Sequence, residues 1–203
     1  KTYPNDSFFV PNIFFEKSLT KQLRKIGLST RRKNISKQKI ITFMAVGGHS
    51  DPRKGGKYLN QIIENFKHKD VVFNVIGNEG NEISNNQKLR YLGHYKNIKD
   101  IANIISESDV FINTSLADNF PNTIVESILC GTPVVSFNVG GISSIINNLN
   151  GSLVDLGDVK NFSKEINRWI ENPSPASTIQ KSIINMVTDN AFKKFLEIYE
   201  NEK

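Results

Sequence analysis

Between Lys39 and Pro173, short apolar runs alternate with stretches of helical spacing, and this alternation constrains the fold more than any other feature. "KIITFMAVGG" (39–48) is an apolar run closed by glycines, as a strand buried on both faces reads. "GGKYLNQIIENF" (55–66) follows, with Tyr58, Leu59, Ile62, Ile63 and Phe66 on one helical face. The same rhythm gives strands at 71–77, 88–93, 109–115, 132–137 and 151–156, and helices at 98–108, 122–131, 142–148 and 159–173. Strands separated by helical crossovers pair in parallel, because a right-handed crossover returns the chain to the same edge. The expectation is a doubly wound, Rossmann-like, mostly parallel sheet of about six strands with helices on both faces.

The layout predicts three parts. Residues 1–38 form a basic lead-in and helix, 39–173 the α/β domain, and 174–203 a helical tail. A chain of 203 residues with 38% apolar content buries one such core comfortably. No apolar run approaches the roughly 18–20 residues of a membrane span, and "KTYPNDSFFVPN" lacks the layout of a secretory signal. The single Cys130 rules out an internal disulfide and a Cys-rich zinc site, so a soluble protein in a reducing, cytoplasmic setting is expected. Cys130 itself reads as a small buried helix residue and Trp169 as packing for a terminal helix. His49 borders the crevice and reads first as a surface histidine and only then as a phosphate contact; His68 and His94 have no acid or cysteine spacing that suits a metal, and none is expected.

The net charge of +6 is concentrated at the start. Lys17, Lys21, Arg24, Lys25, Arg31, Arg32, Lys33, Lys37 and Lys39 fall in one stretch without an acid. Such a run is ordinarily a solvated helix and its linker; the sharper reading is a patch facing a phosphorylated acceptor or anionic lipid, the latter at the inner face of a membrane. Nucleic acid is the weakest partner, since little aromatic interleaving accompanies the charge.

Open α/β sheets bind ligands outside the carboxyl ends of their strands. Three loops there carry chemistry: "GGHSDPRKGG", "SLADNFPN" and "NVGG". Asp118 and Glu126 bracket the start of the helix that begins near Asn122. The N–H groups of Phe120, Asn122, Thr123 and Ile124 are candidates to face the crevice, where free amides and the helix dipole suit a phosphate. Carboxylates repel that anion, so Asp118 and Glu126 suit the sugar and ribose hydroxyls beside it. The plainer alternative is a Thr123–Glu126 capping box and an Asx turn at Asp118. Lys54, with Arg53 beside it, supplies positive charge where the first loop enters a helix, and Gly47 and Gly48 permit close approach of a ligand. A P-loop is excluded, as no Gly-Lys-Ser/Thr occurs.

The composite "SLADNFPNTIVESILCGTPVVSFNVGG", together with "DPRKGGKYL" and "RYLGHYKNIKDIANIISESDVFINTS" in the same order, resembles retaining GT-B glycosyltransferases of the group-1 (family 4) type. The resemblance runs from about Phe9 to Leu156 and implies the C-terminal, donor-binding half of a GT-B fold. It implies that Glu126 binds ribose and Asp118 the donor-sugar hydroxyls. Phe120, Pro121, Asn122 and Thr123 would hold pyrophosphate and sugar, Lys54 would neutralise the pyrophosphate, and Tyr91, Leu92 and Gly93 would line the base. Two positions depart from the family's pattern: Asp118 stands where a glutamate is usual, and Gly48 where an arginine often is.

Retaining, metal-independent transfer of a sugar from a nucleoside diphosphate to an acceptor hydroxyl is the implied reaction, with Asp118, Lys54 and Glu126 as its catalytic side chains. Bacterial surface polysaccharide or glycolipid synthesis is the implied setting, with no cofactor beyond the nucleotide-sugar substrate. An N-terminal acceptor half is the implied partner, without which this chain is expected to transfer nothing. A GT-B sugar-nucleotide epimerase and a non-catalytic nucleotide-binding module share the same donor signature and remain open.

Overall fold

A computed structural model describes residues 17–31, 38–44, 52–66, 70–77 and 88–187. Helix α1 (Lys17–Arg31) precedes β1 (Lys39–Met44); a 3-10 turn (Pro52–Lys54) leads into α2 (Gly56–Asn65). Then come β2 (Val71–Ile76), β3 (Leu89–Gly93), α3 (Ile98–Glu107), β4 (Val110–Asn113), α4 (Asn122–Leu129) and β5 (Val134–Phe137). A 3-10 turn (Ile142–Ser144), β6 (Gly151–Val154), α5 (Val159–Glu171), α6 (Ala176–Lys181) and α7 (Ile184–Val187) complete the order. The six strands form one sheet in the order β3-β2-β1-β4-β5-β6, and each neighbouring pair is parallel. This is the Rossmann-like arrangement that the alternation predicts, with strands a little shorter than their apolar runs.

Side chains leave a strand alternately to its two faces, and the sheet sorts them accordingly. Ile41, Phe43, Val110, Ile112, Val135 and Phe137 meet α2 and α5 on one face through Leu59, Ile62, Phe162 and Ile166. Phe137 lies at the centre, its ring 5.1 Å from Tyr58 and 4.9 Å from Phe162. Phe111 and Val134 point to the other face, against Ala102, Ile105, Ile124, Ile128 and Leu129. The helices start on side-chain caps where the sequence offers them. Asn97 accepts the N–H of Lys99 at 3.0 Å for α3, and Asp158 that of Asn161 at 2.9 Å for α5.

Helix α1 departs from the solvated lead-in that its charge suggests. Leu23 is fully buried in the second face, and Gly27 lies so close to the Cys130 carbonyl that a Cβ there would sit 2.0 Å from its oxygen. Lys21 and Lys25 are exposed on the outer side, while Arg24 is partly buried. Ile179 of α6 and Val187 of α7 are buried in the same cluster, so the expected tail also covers this face. Trp169 packs as expected and donates to Ser152 at 2.8 Å. Burial alone would raise the nearby Glu165 carboxyl, but hydrogen bonds from Ser152 and Arg168 and the arginine's charge outweigh it and hold it below the usual range. Among the described residues no helix is long and apolar enough to cross a membrane.

Candidate functional site

The sheet order reverses between β1 and β4, so the crevice of this fold opens at their carboxyl ends. Three segments meet there by backbone contact. The 3-10 turn after β1 is tied to the loop after β4 at two points: Leu116 N–H donates to the Arg53 carbonyl at 2.8 Å, and the Thr114 hydroxyl to that of Lys54 at 2.8 Å. Gly55, in the left-handed region at φ 68°, lies against the Thr114 carbonyl, where a Cβ would come within 1.9 Å of the oxygen. The loop after β5 closes the third side. Gly141 N–H donates to the Asp118 carbonyl at 3.3 Å, and a Cβ on Gly140 would meet that carbonyl oxygen at 2.2 Å.

This stitching carries Lys54 and Asp118 to each other. The ammonium donates to the Asp118 carboxylate at 3.3 Å, with both side chains partly exposed. One of the three ammonium protons is thereby used, leaving two for a ligand. A pair so open to water is worth only about 0–1 kcal/mol, so an arriving anion displaces it at little cost. Arg53 is exposed and serves the site through its carbonyl.

Helix α4 begins beside this pair. Its N-cap is Pro121, in extended conformation and without a side-chain cap. Thr123 therefore lies inside the first turn, and the capping-box alternative for Thr123 and Glu126 does not form. The N–H groups of Asn122 and Thr123 have no partner among the described residues, whereas Ile124 N–H is bound to the Pro121 carbonyl at 3.1 Å. Ile124 is fully buried, so its contribution is packing and not an open amide, a correction to its expected part in anion binding. Phe120 is half-buried against the second face.

Glu126 sits one turn further along α4, half-buried, and its carboxylate has no hydrogen-bond partner among the described residues. Burial raises its carboxyl above the usual range. Burial also pushes the Cys130 thiol up to about 12, against a hydrogen bond with Ser106 and with help from the Glu126 charge, so this cysteine is an inert packing residue. A carboxylate partly withdrawn from water, with no cation or donor to answer it among the described residues, weakens the fold at neutral pH. Because its folded pKa is raised, the penalty is complete above that pKa and gone below the unfolded value of about 4.5. Glu126→Gln should therefore leave the melting temperature at pH 7 equal to or above that of the wild type. The difference should close as pH falls towards 4.5; a lower melting temperature at pH 7 would mean that Glu126 has a stabilising partner.

Tyr91, Leu92 and Gly93 end the edge strand β3 on the same carboxyl side, with β2 between them and β1. The register slips there, pairing Val75 with Tyr91 and Ile76 with Gly93, so Leu92 is the extra residue of a bulge. Gly47, Gly48 and His49 lie outside the described residues. The sequence reading missed Thr114, Gly55, Gly140 and Gly141 as parts of the site. The two glycine pairs were visible in "DPRKGG" and "NVGG", but nothing in the sequence says which backbone each glycine must admit.

Residues 40–172 match the family model of glycosyl transferases group 1. The chain belongs to this family. A human phosphatidylinositol N-acetylglucosaminyltransferase chain is 37% identical over 106 residues, 46% of this chain and 22% of that protein. An Escherichia coli UDP-Gal:alpha-D-GlcNAc-diphosphoundecaprenol alpha-1,3-galactosyltransferase is 28% identical over 160 residues, 71% of this chain and 38% of the relative. Among solved structures, a lipopolysaccharide outer core galactosyltransferase superimposes with a TM-score of 0.72 at 19% identity, covering 84% of this chain and 51% of that one. A Rickettsia africae glycosyltransferase superimposes at 0.69 with 22% identity, covering 90% of this chain and 54% of that one. The group 1 chain thus spans well under half the length of these two curated relatives and has the fold of one half of a GT-B enzyme.

Proposed function

We propose that this chain is the C-terminal, donor-binding half of a retaining, metal-independent glycosyltransferase. Its substrate is a nucleoside-diphosphate sugar, transferred to an acceptor hydroxyl in bacterial surface polysaccharide or glycolipid synthesis. The observation that carries the reading is the Lys54–Asp118 pair at the switch point, beside the open amides of Asn122 and Thr123 and the unpartnered Glu126. Cation and amides suit a diphosphate; the two carboxylates suit hydroxyl groups on either side of it. The bacterial relative named for a diphosphoundecaprenol acceptor supports a lipid-linked acceptor.

When the bond from the anomeric carbon to the diphosphate breaks, negative charge builds on the leaving oxygen. Lys54 and the α4 amides are fixed in advance where that charge appears, which is the effective form of electrostatic catalysis. Asp118 holds sugar hydroxyls near the reacting carbon, Glu126 grips ribose, and the acceptor hydroxyl attacks from the face the leaving group vacates, passing its proton to the departing diphosphate oxygen and retaining configuration. The acceptor half of the protein closes the cleft and excludes water, so this chain alone binds donor without turning it over.

The two carboxylates have separable duties, which gives the test. Glu126→Gln should weaken nucleoside diphosphate by about 1–2 kcal/mol through loss of charge-assisted bonds. Asp118→Asn should not weaken the nucleoside diphosphate and should remove the additional affinity of its sugar conjugate. Titration of each variant with both ligands decides; equal weakening of both ligands by Asp118→Asn would contradict the assignment.

Peripheral contact of α1 with an anionic membrane belongs to the same proposal. Lys21, Arg24 and Lys25 line, with Leu28, Ile184 and Val187, a groove of about 460 Å³ with an apolar floor. At about 1 kcal/mol per cation, Lys21→Glu with Lys25→Glu should abolish co-sedimentation with phosphatidylglycerol vesicles. Undiminished co-sedimentation would place the contact elsewhere.

A further inference from the structure

Thr114 touches no open part of the crevice: it is fully buried, and its hydroxyl donates to the carbonyl of Lys54 at 2.8 Å. Its own carbonyl packs on the Cα of Gly55, so Thr114 grips the chain on both sides of the peptide that follows Lys54. The next tie, Leu116 N–H to the Arg53 carbonyl at 2.8 Å, secures the residue before it. Lys54 projects from a single 3-10 turn of three residues, which has no buried side chain to anchor it. The loop after β4 supplies the anchorage that this turn lacks.

Two residues further on, the same loop presents Asp118, the partner of the Lys54 ammonium. We infer that Thr114 is a positioning residue for Lys54: its hydroxyl holds the turn so that the ammonium is aimed at the diphosphate before the ligand arrives. This rests on the reading of Lys54 as the diphosphate cation. A long lysine on an unanchored turn pays for its ordering when it binds; one whose backbone is already fixed loses less. The effect is confined to the part of the ligand that Lys54 meets, and it vanishes when Lys54 is absent.

The test is a double-mutant cycle on the full chain. Wild type, Thr114→Val, Thr114→Ser, Lys54→Ala and the Thr114→Val/Lys54→Ala double variant are titrated with UDP, GDP and ADP and with the matching nucleosides. Valine keeps the shape and removes the donor; serine keeps the donor. For the diphosphate that binds tightest, Thr114→Val should weaken binding about 5- to 10-fold, the worth of one hydrogen bond. Nucleoside affinity should stay within about twofold, serine should restore diphosphate affinity, and valine should cost nothing further in the Lys54→Ala background.

Equal weakening by valine with and without Lys54, or of nucleoside and diphosphate alike, would make Thr114 a residue of general stability and overturn the inference. No effect of valine while Lys54→Ala weakens binding would overturn it alone. No effect of Lys54→Ala, or no binding of any diphosphate by the wild type, would overturn the reading of Lys54 and the inference with it.

Discussion

Gly55→Ala should lower the melting temperature by about 4–20 °C, while Gly93→Ala should lower it by about 2–8 °C. Both glycines have nearly the same left-handed backbone, φ 68° and 70°, so both substitutions carry the same conformational cost of about 1–2 kcal/mol. What differs is the space. Around Gly93 nothing lies within 4 Å of a new Cβ, whereas at Gly55 the Thr114 carbonyl oxygen would be 1.9 Å away. Backbone cannot swing aside as a side chain does, so the turn or the loop has to move, adding about 1–3 kcal/mol of overpacking. A loss of about 2–5 kcal/mol in a domain of this size corresponds to the stated shift at 2–4 °C per kcal/mol. Because the displaced turn carries Lys54, the preference for diphosphate over nucleoside should fall with stability at Gly55 and not at Gly93. Equal thermal shifts for the two variants would mean that the two loops are not joined as described.

Lys54→Ala is expected to weaken nucleoside diphosphate by about 1.5–3 kcal/mol, the range for hydrogen bonds to charged groups. Two effects add in that direction. The ammonium donors are lost, and the Asp118 carboxylate 3.3 Å away is left unneutralised beside the incoming anion. Nucleoside affinity should scarcely change, since the proposed assignment gives base and ribose to other residues. The fold should tolerate the change, as the pair is partly exposed and contributes little to stability. Calorimetric titration of both ligands reads the two numbers. Matching losses for nucleoside and diphosphate would show disturbance of the fold, and no loss would leave Lys54 a surface cation.

The architecture was legible because it follows from periodicity. Runs such as 71–77 and 132–137 are mostly apolar and only as long as a strand, as strands covered on both faces read, and helical stripes fill the stretches 55–66, 98–108 and 122–131 between strands. The place of α1 was not legible. Its charge dominates the sequence, yet three small or apolar positions, Thr20, Leu23 and Gly27, recur every three or four residues and dock it onto α3 and α4. At the site, the types and spacing of Lys54, Asp118 and Glu126 were readable. Their mutual geometry was not, because it depends on carbonyls of Arg53, Lys54 and Asp118, and a backbone acceptor has no signature of its own. The start of α4 shows the same limit. Thr-x-x-Glu permits a capping box, and only the extended Pro121 at the N-cap shifts the frame by two residues and leaves Glu126 without an amide to hold.

The central claim is that the crevice between β1 and β4 is a diphosphate site flanked by hydroxyl-binding carboxylates. Calorimetric titration of the wild-type chain with UDP, GDP and ADP, each beside its nucleoside, tests it most directly. The predicted result is saturable binding of one diphosphate, at least about tenfold tighter than its nucleoside, with that preference lost in Lys54→Ala. A chain that binds none of the three, or binds nucleoside and diphosphate equally, contradicts the account.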